Sequence, residues 1–249
     1  MTFWEYFIIL FSVLLGGGLA FLVQRDSKSF LQFVLSFGGA YILGITVLHL
    51  MPAVFVGGDQ KMGLWILAGF IIQLLLEQLS MGVEHGHIHA PHKGRSIFAI
   101  QLMLGLCIHA FLEGIPLSHY GAVHEHLPGG GHDHTNHLFF GVLLHKLPAA
   151  FALVLLLLLS KFPKPLIVLG LFTFACMTPL GAALSEYLGS RGWMDIYWQK
   201  ASTAVVIGSF LHIATTILFE LDTSSHHQIP WKKLIAILLG LGIAVATMH

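Results

Sequence analysis

The chain has 249 residues, of which 56% are hydrophobic and only 10% charged, with a mean hydropathy of +0.81, whereas a soluble domain carries about 25% charged residues. Twelve Lys plus Arg balance twelve Asp plus Glu, which removes nucleic acid and a polybasic lipid patch as partners. The composition is that of an all-α polytopic membrane protein, one transmembrane domain over 1–249 embedded in a lipid bilayer.

Apolar runs of about 20 residues, enough to cross about 30 Å of hydrocarbon, fall at 3–23, 30–56, 63–82, 96–121, 138–160, 164–189, 200–221 and 231–248, which predicts eight transmembrane helices. The first run opens with Trp4 and Glu5 and has no Lys or Arg before its apolar core. It lacks the cationic start of a cleavable signal peptide and is expected to be a retained helix. With both termini outside, eight basic residues fall inside (Arg25, Lys28, Lys93, Arg95, Lys161, Lys164, Lys232 and Lys233) and three outside (Lys61, Arg191 and Lys200). That satisfies the positive-inside rule, and the reverse orientation violates it.

The second run ends in Val47-Leu48-His49-Leu50-Met51-Pro52, where Pro52 loosens the helix ladder beside a histidine. In the fourth, His109 and Glu113 are four apart and share one helix face. An ionisable group near the bilayer centre costs about 2.5 to 3.5 kcal/mol on the insertion scale, so both need compensation. A neutral imidazole and a carboxylate one turn apart are half of a site for a borderline divalent metal. The fifth run carries Leu144-His145-Lys146-Leu147-Pro148. If it packs antiparallel to the fourth, His145 meets His109 and Glu113 near mid-membrane. Lys146 can pair with Glu113, snorkel, or occupy with its fixed charge the place of a second cation. Pro148 frees the Leu144 carbonyl, an oxygen ligand or a kink.

The sixth run contains Thr178-Pro179-Leu180-Gly181, a broken-helix signal, and the seventh Phe210-Leu211-His212-Ile213-Ala214. His49 and His212, in the second and seventh runs, suggest an inverted repeat of helices one to three against six to eight, with four and five between, a 3+2+3 bundle. Glu77 and Glu186 lie near helix ends and read as interfacial, solvated acids.

The two cysteines, Cys107 and Cys176, lie in apolar runs and form no disulfide framework. The 17 histidines are the unusual component. Beyond the helices they concentrate in an inner loop, 83–95, with His85, His87, His89 and His92, and an outer loop, 119–137, with His124, His126, His132, His134 and His137 around Gly129 to Gly131. Short His-rich tracts read as metal-binding, here as weak capture on both sides of the membrane.

Taken together these motifs resemble the ZIP (Zrt/Irt-like) family of divalent metal transporters over essentially the whole chain. His109-Ala110-Phe111-Leu112-Glu113-Gly114 is similar to the family's helix-four pattern, His145-Lys146-Leu147-Pro148-Ala149 to a His-Lys version of helix five, and His49-Leu50-Met51-Pro52 to the helix-two His-Leu-x-Pro. Pro179-Leu180-Gly181 matches the helix-six Pro-x-Gly, and Phe210-Leu211-His212-Ile213-Ala214 the helix-seven Phe-Leu-Tyr-Val-Ala with His for Tyr. Members with two adjacent metal sites carry polar or acidic residues where this chain has Ala110, Lys146, Ala149 and Ala53. The resemblance therefore implies one site of His109, Glu113 and His145, completed by His49, His212, a backbone carbonyl or water, with Lys146 supplying the charge of the absent second site.

The transported ion expected on that basis is Zn²⁺, with Fe²⁺, Ni²⁺ and Cu²⁺ also suited to imidazole-rich ligands, and the expected direction is uptake towards the cytoplasm. Cation binding competes with protonation of His, so uptake is expected to fall as pH drops through the histidine range. A homodimer is the expected assembly, and the short chain points to a bacterial inner membrane. Two other classes stay open: an intramembrane zinc-dependent hydrolase, against which stand the lack of an HExxH and of a second acid to act as base, and a membrane protein with a fixed structural metal.

Overall fold

The computed structural model describes residues 1–22, 28–80, 95–119, 137–219 and 230–247. Every element among the described residues is helical. Helix α1 spans Phe3–Leu22; α2 spans Lys28–Ile45 and continues through a π-helical turn, Thr46–Leu50, into Met51–Phe55. Then follow α3 (Lys61–Ser80), α4 (Arg95–Leu117), α5 (His137–Leu159), α6 (Lys164–Ser190), α7 (Ile196–Phe219) and α8 (Trp231–Ala246). Seven of these are long and apolar enough to cross a membrane. With 16 residues, α8 is shorter than the others.

Two of the helix starts that differ from those expected of hydropathy alone have an acidic side chain to account for them. Helix α7 begins at Ile196 and not 200, because the Asp195 carboxylate accepts the Trp198 backbone N–H at 3.0 Å, the bond of an N-cap. Helix α3 begins at Lys61 and not 63, where Asp59 Oδ1 accepts the Lys61 N–H at 2.9 Å. Among the described residues α4 ends at Leu117, short of the expected 121. Pro52 explains the π turn. Lacking an N–H it cannot bond back to Leu48, and its ring crowds that carbonyl. The ladder widens just before it, with Met51 N–H donating to Thr46 O five residues back.

Four helix pairs pack most extensively: α3 with α7, α2 with α8, α4 with α6, and α1 with α5. Exchanging α1 with α6, α2 with α7, α3 with α8 and α4 with α5 turns the first pair into the second and the third into the fourth. The lesser contacts α2 with α5 and α4 with α7 also exchange. This is the packing pattern a 3+2+3 inverted repeat produces.

Lipid offers helices no hydrophobic reason to associate, so close backbone approach at small residues takes its place. A Cβ on Gly208 would collide with the Ile66 carbonyl, and one on Gly69 with the Val205 carbonyl. Gly114 and Gly181 do the same reciprocally between α4 and α6, against Thr178 and Phe111. Along the same seams Trp65 meets Tyr197, Gln73 meets Ser209 and Glu77 meets His212, while Ala110 meets Thr178 and His119 meets Ser185; these positions rise together along both chains, so α3 runs parallel to α7 and α4 to α6. Large apolar side chains on α1 and α3, including Phe7, Phe11, Leu64 and Leu67, are exposed outward, as a lipid-facing surface requires.

Candidate metal centre

His109 and Glu113 sit one turn apart on α4, and the parallel contact with α6 fixes that helix. Thr178 Oγ1 donates to the Ala110 carbonyl at 2.9 Å, next to His109. Helix α5 brings His145 and Lys146 to the same place. His109, Glu113 and His145 are all buried, and their ligand atoms lie within 4.8 Å of one another. Glu113 divides its two oxygens. Oε1 faces His109 Nε2 at 2.7 Å and His145 Nε2 at 3.7 Å, while Oε2 holds Lys146 Nζ at 2.7 Å. Lys146 is fully buried, and its ammonium also stands over the Phe174 ring, 4.9 Å from the centroid.

These distances suit a shared cation. A tetrahedral zinc with bonds of about 2.0 to 2.1 Å separates its ligand atoms by about 3.3 Å, between the 2.7 and 3.7 Å seen here. The two imidazole planes are nearly perpendicular, at 89°, and both Nε2 atoms face the same Glu113 oxygen. On the other side of Glu113, Lys146 keeps the carboxylate compensated in a dry site, where an isolated charge is prohibitive.

A further pair orients the His109 ring. Ser209 on α7 donates to Gln73 Oε1 on α3 at 3.0 Å, and its oxygen lies 3.3 Å from His109 Nδ1. With the hydroxyl proton directed at Gln73, Ser209 accepts the Nδ1–H, which leaves Nε2 to share a proton or a cation with Glu113. Metal-bound histidines are commonly held in this way through the distal nitrogen. Sequence reasoning missed Ser209 and Gln73, two neutral residues in apolar runs. The signal available was their spacing, three residues before His212 and four before Glu77.

The remaining expected residues are placed elsewhere. His49 is buried in the π turn of α2, outside the three-residue cluster. His212 is buried on α7 and bonds through Nε2 to Glu77 Oε2 on α3. Glu77 is thus not an interfacial, solvated acid: its side chain is 19% exposed and paired. The difference arises because its partner is 135 residues distant. Glu186 does fit that expectation, 55% exposed and accepting the Tyr6 hydroxyl at 2.9 Å. At the end of α4, His119 Nδ1 lies 3.1 Å from both Ser118 and Ser185 hydroxyls, and Nε2 lies 3.4 Å from Ser202 on α7. Burial pushes its pKa down from 6.5 to about 4. The loop histidines His85, His87, His89, His92, His124, His126, His132 and His134 lie outside the described residues, as does the side chain of His137.

A sequence profile described as ZIP zinc transporter matches residues 81–248, which include every member of the central cluster. Zinc transporter ZIP9 of Xenopus tropicalis is 29% identical over 179 residues, covering 68% of this chain and 55% of that protein. Zinc transporter ZIP9-B of Xenopus laevis is 30% identical over 175 residues, with coverage of 66% and 54%. Human zinc transporter ZIP1 is 25% identical over 263 aligned positions, with coverage of 87% and 77%. The chain spans about half the length of the ZIP9 relatives. All three are vertebrate proteins and lend no support to a bacterial inner membrane. With two thirds of its length matched by the profile, and with helices of membrane-crossing length over most of the remainder, the chain belongs to the ZIP zinc transporter family.

Proposed function

We propose that this protein carries divalent metal, zinc foremost, across the membrane towards the cytoplasm, by exposing the cluster of His109, Glu113 and His145 to one side and then the other. The observation that carries this reading is the convergence of two imidazoles and one carboxylate, all buried, from two helices. Two nitrogens and one oxygen favour zinc and the neighbouring late transition metals over cations that prefer all-oxygen sites.

In this reading Glu113 Oε1 and the two Nε2 atoms take the cation, and the fourth ligand is water or His49. Lys146 has two effects. It holds Oε2, so the carboxylate presents a single oxygen to the cation, and its fixed charge repels a second cation from the position it occupies. Ser209 and Gln73 keep the His109 ring aimed at the cation. The termini lie outside, as the basic residues favour, and the His-rich loops capture cations weakly at each mouth. The assembly proposed is a homodimer. A hydrolytic role finds less support, since Glu113 already has three partners and no other carboxylate among the described residues belongs to the cluster.

The test is zinc uptake into liposomes holding the full chain, with His109→Ala and Glu113→Ala measured under the same gradient. The parent conducts, and both variants fail while keeping their fold. A parent that binds one zinc tightly and conducts none would sink the transport reading.

A further inference from the structure

The seam between α3 and α7 holds a second acid–imidazole pair that the central cluster does not use. His212 Nε2 touches Glu77 Oε2, and the His212 ring stands edge-on to Phe70, 4.9 Å between centroids. The simplest account of such a pair is polar glue between two helices. That account fits poorly here, because α3 and α7 are already held together by Gly69 and Gly208, each against the other helix's backbone. An ionisable pair in an apolar segment is costly, and at this crossing it is redundant as a fastener.

The pair is also continuous with the central cluster. Gln73 and Glu77 are one turn apart on α3, and Ser209 and His212 three residues apart on α7, so all four share the seam. Ser209 touches both His109 and Gln73. From Ser209 to His212 the helix rises about 4.5 Å. A cation leaving His109 along this seam therefore meets the Gln73 amide oxygen, and then the Glu77 carboxylate and the His212 ring. Both pairs lie towards the C-terminal ends of α3 and α7, the cytoplasmic side in the orientation given above.

We propose that Glu77 and His212 form a second, weaker divalent-cation site, a station between the central cluster and the inner mouth. One imidazole and one carboxylate suit the same borderline cations as the central cluster. With two protein ligands in place of three, and with Glu77 19% exposed where Glu113 is 1% exposed, the station binds loosely. Conduction needs sites that bind well enough to be entered and weakly enough to be left. The family's helix-seven Tyr is replaced here by His212, which supplies the nitrogen ligand. The proposal rests on the transport reading above.

The experiment uses the full chain with Cys107→Ala and Cys176→Ala as background, so that His212→Cys introduces the one thiol. Cd²⁺ alone is the probe. A thiolate-to-cadmium charge-transfer band appears on titration, and Glu77→Gln in the same protein weakens the Cd²⁺ affinity reporting on that band at least about tenfold. No band even at Cd²⁺ concentrations about a hundredfold above those that fill the central cluster overturns the proposal. Should the thiol variant fail to fold, zinc uptake decides it. Glu77→Gln then loses turnover at least about tenfold with little change in KM, and Glu77→Asp restores most of it. A Glu77→Gln protein that conducts like the parent while His109→Ala does not would remove this station and leave the central site standing. If His109→Ala also conducts like the parent, the transport reading itself fails.

Discussion

Glu113 and Glu77 are both carboxylates inside apolar helices, yet the protein houses them differently. Glu113 is 1% exposed and meets two imidazoles and a lysine. Glu77 is 19% exposed and bonds to one imidazole. The contrast follows depth. A fully dry carboxylate needs a counter-charge, which Lys146 brings to Glu113, whereas a carboxylate with some access to solvent is stable beside an imidazole. One site is therefore held charged and ready; the other can exchange.

The largest test of this contrast is Lys146→Met. It leaves Glu113 buried without a fixed partner and lowers the unfolding free energy of zinc-free protein by about 3 to 5 kcal/mol. Saturating zinc restores most of the loss, because a ligand that binds only the folded state stabilises it. Denaturant unfolding in detergent, with and without zinc, reads both quantities, and a loss that zinc leaves untouched would separate Glu113 from the cation. Next in size is Ser209→Ala. Freed from its outer bond, the His109 ring loses orientation, and zinc affinity at the central cluster falls about 10- to 100-fold while the fold is retained. Competition against a zinc chelator measures it; an unchanged affinity would make Ser209 simple packing.

Glu77→Gln sharpens the comparison from the other side. An amide still bonds to His212, so the stability cost is about 1 kcal/mol, well under that of Lys146→Met. Equal losses at the two positions would show that depth does not set the need for a counter-charge. A last effect, read as a pH profile and unconnected with the two carboxylates, concerns His119, whose pKa falls from 6.5 to about 4 on folding. Below about 6.5 the unfolded imidazole binds a proton that the folded one refuses. Its contribution therefore declines as pH drops from 6.5 towards 4 and is lost below that. His119→Gln, whose amide can still reach the serines, flattens the stability profile in this window.

Much of this arrangement could be read from the sequence, and the exceptions share a cause. The helices announce themselves through hydropathy, and the four-residue step from His109 to Glu113 depends only on local geometry. The approach of His145 followed from one assumption, that α4 and α5 meet. Glu77 and Ser209 were harder. Their significance lies in partners 135 and 100 residues away, and no local pattern encodes which helix a face will meet. Asp59 and Asp195 show a smaller version of the same limit, since hydropathy marks where lipid begins while a capping side chain marks where the helix begins.

The π turn before Pro52 is in effect an insertion of one residue absorbed without breaking the helix. An α-helix turns about 100° per residue, and the five residues of the wide turn advance about as far round the axis as four α-helical ones, so removing one residue from Thr46–Leu50 would return α2 to regular winding and leave both flanks facing as they do. His49 lies within the affected turn. A relative with unbroken α-helical winding here would need an alignment gap of one residue within the membrane span, where gaps are otherwise unexpected. Without that gap, residues matched across the turn would have the same position in sequence but point in different directions in space.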